Sequence, residues 1–359
     1  MDKDVLKEIE LCDECGVCIN VCPIYEVTGK ELFTPISRIK AAEKVFKGNI
    51  PSEAVELMYN CPECGRCEEV CPNEVKITKI VEVARNRLIK KGFVFDAHKR
   101  IAKWIVELGN SVGKEPEKRL EWLPEEFKEK ESNTLLYLGC LPSYLIKNIA
   151  KTTYTVLKRA EVDFMILEDE GCCGVYLYDA GMVELAEEVF TKNAERFEKI
   201  GVEKIITPCA GCYRCFKRYY PRVLGKTDFE VYHVVEVIDE LVRDKKLSLK
   251  KKEMHFTYHD PCRLGRKEGL YEEPRRILRE CVEIAELKEN RDMGMCCGAG
   301  AGIRSIYRDL SMEVAAKLLN SAQSNIITSC PFCTFNLNYA AKKKGIDKEV
   351  KYITELLVD

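Results

Sequence analysis

The apolar positions of the chain change their spacing near residue 130. Before that point they recur at helical intervals: Ile36 and Ile39, then Ile77, Ile80, Val81, Ala84 and Leu88, then Ile101, Trp104, Ile105 and Leu108. Thr34 is placed to cap the first helix with Pro35 at its first position, and Gly48 to stop it. A second helix is expected from Ser52 into Cys61, and Gly92 closes the third. The stripe from Ile101 to Leu108 reads as a core-facing one, the alternative being a face for a partner or a membrane surface. Residues 116–133 are charged, carry prolines at 116 and 124, and read as a domain linker. Beyond them, short apolar runs at 135–138, 164–167, 204–207, 254–258, 281–287 and 325–328 alternate with helical stretches such as 182–200 and 310–322. Strand alternating with helix implies βαβ units around parallel sheets, with the loops that follow the strands gathered along one edge.

The second part of the chain repeats itself. Ile205-Ile206-Thr207-Pro208-Cys209-Ala210-Gly211-Cys212 matches Ile326-Ile327-Thr328-Ser329-Cys330-Pro331-Phe332-Cys333, and Val231 to Glu236 parallels Val350 to Glu355. A lysine-rich stretch at 245–252, read as a solvated connection, separates the copies. The division expected is 1–115, a linker at 116–133, a first repeat at 134–248 and a second at 249–359.

Charge excludes more than it suggests. A net charge of -2 supplies no basic field for nucleic acid. No apolar run approaches the roughly 18 residues of a membrane span, and the first ten residues are charged, unlike an export signal. The expected location is cytoplasmic, with any membrane association supplied by a partner. Twenty cysteines in a reducing compartment then point to metal binding or redox chemistry, not to a disulfide framework.

Their spacing is specific. Cys12-x2-Cys15-x2-Cys18-x3-Cys22-Pro23 recurs as Cys61-x2-Cys64-x2-Cys67-x3-Cys71-Pro72. In the bacterial ferredoxin run of this form, three thiolates hold three corners of a [4Fe-4S] cubane and the fourth cysteine reaches the other cluster. Cys12, Cys15, Cys18 and Cys71 are therefore assigned to one cluster, and Cys61, Cys64, Cys67 and Cys22 to the other; a pair of structural zinc sites is the alternative. Each repeat carries five more: Cys140, Cys172, Cys173, Cys209 and Cys212 in copy one, Cys262, Cys296, Cys297, Cys330 and Cys333 in copy two. Five thiols are too many for one zinc. Gly174 and Gly298 follow the adjacent pairs, either to leave room for a bulky cluster or to allow positive φ.

The helical module resembles the α-helical ferredoxins of succinate dehydrogenase iron-sulfur subunits and heterodisulfide reductase. The paired patterns Cys-x31-Cys-Cys-Gly-x34-Cys-x2-Cys and Cys-x33-Cys-Cys-Gly-x31-Cys-x2-Cys, with the stretch from His259 to Arg266, resemble the two CCG domains of the heterodisulfide reductase family, in its fused, D-type form. The resemblance implies an α-helical ferredoxin domain followed by two pseudo-repeated α/β CCG domains with parallel sheets. It implies that each set of five cysteines holds a non-cubane [4Fe-4S] cluster, beside the two cubane clusters, and that the two face each other across a disulfide such as that joining coenzyme M and coenzyme B. Electrons are expected to enter at the ferredoxin clusters from a membrane cytochrome b or a flavoprotein and to leave through the paired sites. The competing reading is an electron-transfer subunit of a flavin-dependent 2-hydroxy acid or glycerol-3-phosphate dehydrogenase, or of a membrane quinone complex; a structural or sensor protein is a third. The glycine-rich Gly298 to Gly302 follows a cysteine pair and lacks the context of a dinucleotide site.

Several residues keep two readings. Cys215 extends Cys209-x2-Cys212 to cubane-like spacing, so it is either a ligand of a conventional cluster in copy one or a packed thiol. Cys281 reads as core. His259 is a candidate proton donor to a leaving thiolate, or a residue orienting the Asp260-Pro261 turn. Arg263, Arg266 and Arg304 are candidates for an anionic substrate, or ordinary salt-bridging groups.

Overall fold

The computed structural model describes residues 2–358. Thr34 caps the helix Pro35–Phe46 by accepting the Ser37 N–H at 3.1 Å, and Gly48 turns the chain away with φ +84°. The second expected helix is shorter, Ala54–Tyr59. In Ile77–Lys90 the residues Ile80, Val81, Ala84 and Leu88 have no exposed surface, as their spacing requires. Asp96–Leu108 buries Ile101 and Ile105, but in the core of copy one, so this last helix of the N-terminal module is shared with its neighbour.

Each copy is built on a parallel sheet. Copy one pairs β1 (Thr134–Leu136), β2 (Lys204–Thr207) and β3 (Glu230–His233) in the order β1-β2-β3. Copy two pairs β4 (His255–His259), β5 (Glu283–Glu286), β6 (Ile326–Thr328) and β7 (Val350–Tyr352) in the order β5-β4-β6-β7. The counterpart of β5 in copy one is one bridge, Leu135 with Met165. The strand expected at 164–167 goes no further because Asp169 and Glu170 leave the sheet edge to pair with Arg196 and Arg119. The repeat extends to its caps: Glu236 accepts the His233 N–H at 2.7 Å and Glu355 accepts the Tyr352 N–H at 2.6 Å.

The three parts interlock. Ile303 and Val314 of copy two complete the core of the helical module. The stretch 116–133 is mostly exposed but is pinned to the protein by Arg119 and Trp122, 3% and 4% exposed. The lysine-rich connection likewise buries Leu247. At the junction Arg85 is fully buried, and its guanidinium donates to the carbonyls of Met58 and Cys61 in the helical module, Asp179 in copy one and Ala301 in copy two, with Glu63 at 2.9 Å. Among the described residues no helix is long and apolar enough to cross a membrane.

Candidate iron-sulfur centres

The strand ends deliver the cysteines. Cys140 opens a short helix after β1, Cys209 and Cys212 follow β2, and Cys172 and Cys173 lie in the loop before Val175–Asp179; copy two does the same from β4 and β6. The sulfurs then touch in one order. In copy one the contacts run Cys140, Cys172, Cys173, Cys212, Cys209. In copy two they run Cys262, Cys296, Cys297, Cys333, Cys330, with Cys297 and Cys333 at 3.3 Å. That separation is far beyond the roughly 2.05 Å of a disulfide, and all twenty cysteines are free. Gly139 is required by contact as well as by its φ of +78°: a Cβ there would lie 3.0 Å from the Cys212 sulfur.

The N-terminal cysteines form two groups. Cys12, Cys15, Cys18 and Cys71 line one cleft with Ile36, Ile39 and Val75, and Cys15 is exposed. Cys22, Cys61 and Cys67 surround the buried guanidinium of Arg38, which lies 3.5 Å from the Cys22 sulfur. Cys64 belongs beside them and also touches Cys296 of copy two. The inner group of the helical module therefore abuts the copy-two set. The two repeat sets approach each other as well: Tyr352 lies close enough to Cys330 and Cys209 to sense both, and its hydroxyl donates to the Pro208 carbonyl at 2.7 Å.

These sulfurs compete for protons. Contact with Cys296, then the cations Arg266 and Lys267, pulls Cys64 down to about 6 against the cost of burial. Cys212, backbone N–H groups and Arg263 pull Cys209 down to about 7. Cys296, Cys333 and then His259 hold Cys297 well below the ordinary thiol value. Burial pushes Cys18 and Cys61 up to about 11. Buried thiolates crowded against thiols call for a cation cluster. The surrounding donors fit one: the N–H groups of Gly174 and Gly298 point at the Cys172 and Cys296 sulfurs at 3.5 and 3.3 Å. The residues present thus suit iron-sulfur groups.

The residues with two readings take definite places. Cys215 lies against Cys173 and donates to its carbonyl at 3.2 Å. Asn336, the corresponding residue of copy two, donates to the Cys297 carbonyl at 2.7 Å. Cys281 is buried and bonded to carbonyls of its own helix, away from both sets. His259 does not orient the Asp260-Pro261 turn: Asp260 is held by Arg275 at 2.8 Å and by the Arg291 N–H at 2.8 Å, while both ring nitrogens of His259 lack a hydrogen-bond partner. Arg263 is committed to Asp179 at 2.6 Å across the copies, and Arg266 to the carbonyls of Cys64, Asp292 and Gly294. Arg304 donates to Asn336 and stacks on Phe335 and Tyr339. Gly174 and Gly298 adopt φ +79° and +81° where a Cβ would strike Phe190 and the Ser311 carbonyl, so a close helix, not cluster bulk, explains them.

Some supports were missed from sequence. Buried Glu170, paired with Arg119, accepts the Leu138 and Gly139 N–H groups at 3.0 and 2.9 Å and so fixes the Cys140 loop. Arg85 had a signal: it sits four residues after Val81 on the apolar face of its helix, where a charge needs a special partner.

Comparison with known proteins agrees with this geometry. Residues 134–217 and 256–338 match the family model described as "Cysteine-rich domain", and residues 8–75 match "4Fe-4S dicluster domain". The D-type subunit of the dihydromethanophenazine:CoB--CoM heterodisulfide reductase of Methanosarcina mazei is 32% identical over 99% of this chain and 94% of that protein. The chain belongs to the D-type family of heterodisulfide reductase subunits. It is accordingly an iron-sulfur oxidoreductase with a ferredoxin-like module and two CCG domains. The family's wider relatives include EtfAB:quinone oxidoreductase of Syntrophomonas wolfei, 30% identical over 97% of this chain and 57% of that protein. Among solved structures, a hypothetical protein from Helicobacter pylori aligns with TM-score 0.62 at 12% identity over 99% of this chain and 75% of that one, a likeness of fold.

Proposed function

We propose that the protein is the catalytic subunit of a heterodisulfide reductase-like enzyme, which cleaves a small-molecule disulfide of the coenzyme M-coenzyme B type to two thiols with two electrons and two protons. The observation that carries this reading is the succession of thiol sets: the inner group of the helical module touches copy two at Cys64 and Cys296, and Cys330 of copy two and Cys209 of copy one both lie near Tyr352.

Cys12, Cys15, Cys18 and Cys71, and Cys61, Cys64, Cys67 and Cys22, would hold two cubane [4Fe-4S] clusters. The sets Cys140, Cys172, Cys173, Cys209, Cys212 and Cys262, Cys296, Cys297, Cys330, Cys333 would hold two non-cubane [4Fe-4S] clusters. Clusters bound there supply electrons one at a time, two of which the disulfide requires. The chain's own part is positional. Arg263 with Asp179 locks copy two to copy one, Arg266 and Lys267 fasten copy two to the helical module, and Arg85 ties all three. These contacts keep the relay in line. His259, beside Cys297, is the proposed source of a proton for a departing thiolate. Exposed Cys15 marks the place where a donor or acceptor protein, either a membrane cytochrome b or a flavoprotein, exchanges electrons. The chain itself acts in the cytoplasm and meets a membrane through that partner.

The match to the quinone oxidoreductase favours a second reading, in which the same relay carries electrons between a flavoprotein and quinone. Anaerobic protein loaded with about 16 irons, the content of four [4Fe-4S] clusters, and supplied with a reduced viologen should consume coenzyme M-coenzyme B disulfide. Fully loaded protein that passes electrons to a quinone analogue but leaves that disulfide and related thiol disulfides intact would establish the second reading instead.

A further inference from the structure

The repeats differ at one position that points into the sulfurs. Three residues before the first cysteine, copy one has Tyr137 and copy two has His259. Tyr137 is buried, and its hydroxyl is spent on the Gly171 carbonyl at 2.6 Å. His259 is 1% exposed, and neither ring nitrogen has a partner. Thr328, its neighbour in the strand register, also carries an unpartnered buried hydroxyl, whereas Thr207 of copy one accepts the Cys209 N–H at 3.3 Å. A buried polar group left unpaired is destabilising. At this position copy two therefore leaves beside the sulfurs polar groups that copy one has bonded elsewhere.

The groups facing the imidazole identify its acceptor. A ring nitrogen of His259 and the sulfurs of Cys297 and Cys333 all lie within 4.8 Å of one another. Asp260, the adjacent carboxylate, is fully engaged by Arg275 and the Arg291 N–H. Hydrogen bonds to cluster sulfurs stabilise the more negative, reduced state and raise the reduction potential.

Resting on the reading that copy two holds an iron-sulfur cluster, we propose that His259 is a positioning residue whose N–H donates to the sulfur of that cluster and sets its potential above that of the copy-one cluster. Copy two is also the set in contact with Cys64. The electron leaving the helical module thus meets the more oxidising of the two sites first. This role belongs to the resting protein and is separate from proton delivery during turnover.

The test is an anaerobic redox titration of the full, cluster-loaded chain followed by electron paramagnetic resonance. His259→Phe should shift the midpoint potential of the copy-two cluster downward with iron content unchanged, His259→Gln, which keeps an N–H donor, should restore part of the shift, and Tyr137→Phe should leave the copy-one potential where it was. An unchanged potential in fully loaded His259→Phe would overturn the proposal, as would a nitrogen coupling of ligand strength in the unsubstituted protein. Because the Phe variant can fail to load, the unsubstituted protein provides a second reading. With nitrogen-15-labelled histidine, pulsed resonance of the copy-two cluster should show a weak nitrogen coupling, of hydrogen-bond and not ligand strength. Absence of that coupling overturns the proposal alone. Absence of any copy-two cluster in the unsubstituted protein removes this proposal and the proposed function together.

Discussion

Copy one and copy two share the path of their sulfurs and little of what surrounds it. Both bring five cysteines into contact in the same order, and both close the last strand with a glutamate reaching back to its own cap. Around that frame Tyr137 stands opposite His259, Cys215 opposite Asn336, and His233 opposite Tyr352. Copy two touches the inner cysteines of the helical module, Cys296 meeting Cys64. The comparison teaches that the path of the cysteines is held in common, while the residues around it give each set its own hydrogen bonds.

The largest expected effect is at the residue that binds the copies to the module. Arg85→Met leaves Glu63 without its buried partner and frees the carbonyls of Met58, Cys61, Asp179 and Ala301. Removing one member of such a buried pair costs about 3–5 kcal/mol, read as a lower midpoint in anaerobic urea unfolding followed by cluster absorbance. A loss confined to one copy would break the view that Arg85 serves all three parts.

Acid should separate the copies next. His233 of copy one is held down to about 3 by burial; its Nδ1 accepts the Val235 N–H and its Nε2 bonds the Pro208 carbonyl at 3.1 Å. Because the folded value lies below the unfolded 6.5, the unfolded chain binds the extra proton, and stability present above pH 6.5 is lost as pH falls toward 3. The slope is about 1.4 kcal/mol per pH unit. Burial holds His98 of the helical module down to about 3 as well, so unfolding titrations between pH 7 and 5 should show a steeper slope in the parent than in His233→Gln, which keeps only the part due to His98, and Tyr352 gives copy two no equivalent group.

The smallest contrast concerns the third residue after Cys212 and Cys333. Asn336→Ala removes the hydrogen bonds to the Cys297 carbonyl and from Arg304, a cost of about 1–3 kcal/mol. Cys215→Ala should cost less, because the Tyr220 hydroxyl also donates to the Cys173 carbonyl at 3.2 Å. Iron analysis should return the parent content for both variants; a drop in Cys215→Ala alone would make that thiol a ligand and the two sites chemically unlike.

Much of this was legible in the sequence because clusters leave covalent spacing behind. The two x2-x2-x3 runs, the paired cysteines and the repeat of Ile205 to Cys212 in Ile326 to Cys333 mark the module and the parallel sheets by spacing alone. The Thr34 cap was equally local. What escaped was long-range. Nothing in the order of residues says that Arg263 will meet Asp179, that Arg266 will be spent on the carbonyls of Cys64, Asp292 and Gly294, or that Cys64 will touch Cys296, since those pairs are made by the packing of separate domains. The strand expected at 164–167 shrank to one bridge for a similar reason: Asp169 and Glu170 are held by Arg196 and Arg119, far along the chain.

The central claim is that the facing CCG sites are where the disulfide and its thiols react. Electron paramagnetic resonance of the oxidised, fully loaded protein, recorded with and without coenzyme M or coenzyme B thiol, tests it most directly. The account predicts a signal that appears only with thiol and is lost when the copy-one or copy-two cysteines are substituted while the cubane signals persist. Spectra identical with and without thiol, from protein carrying its full iron, would contradict it.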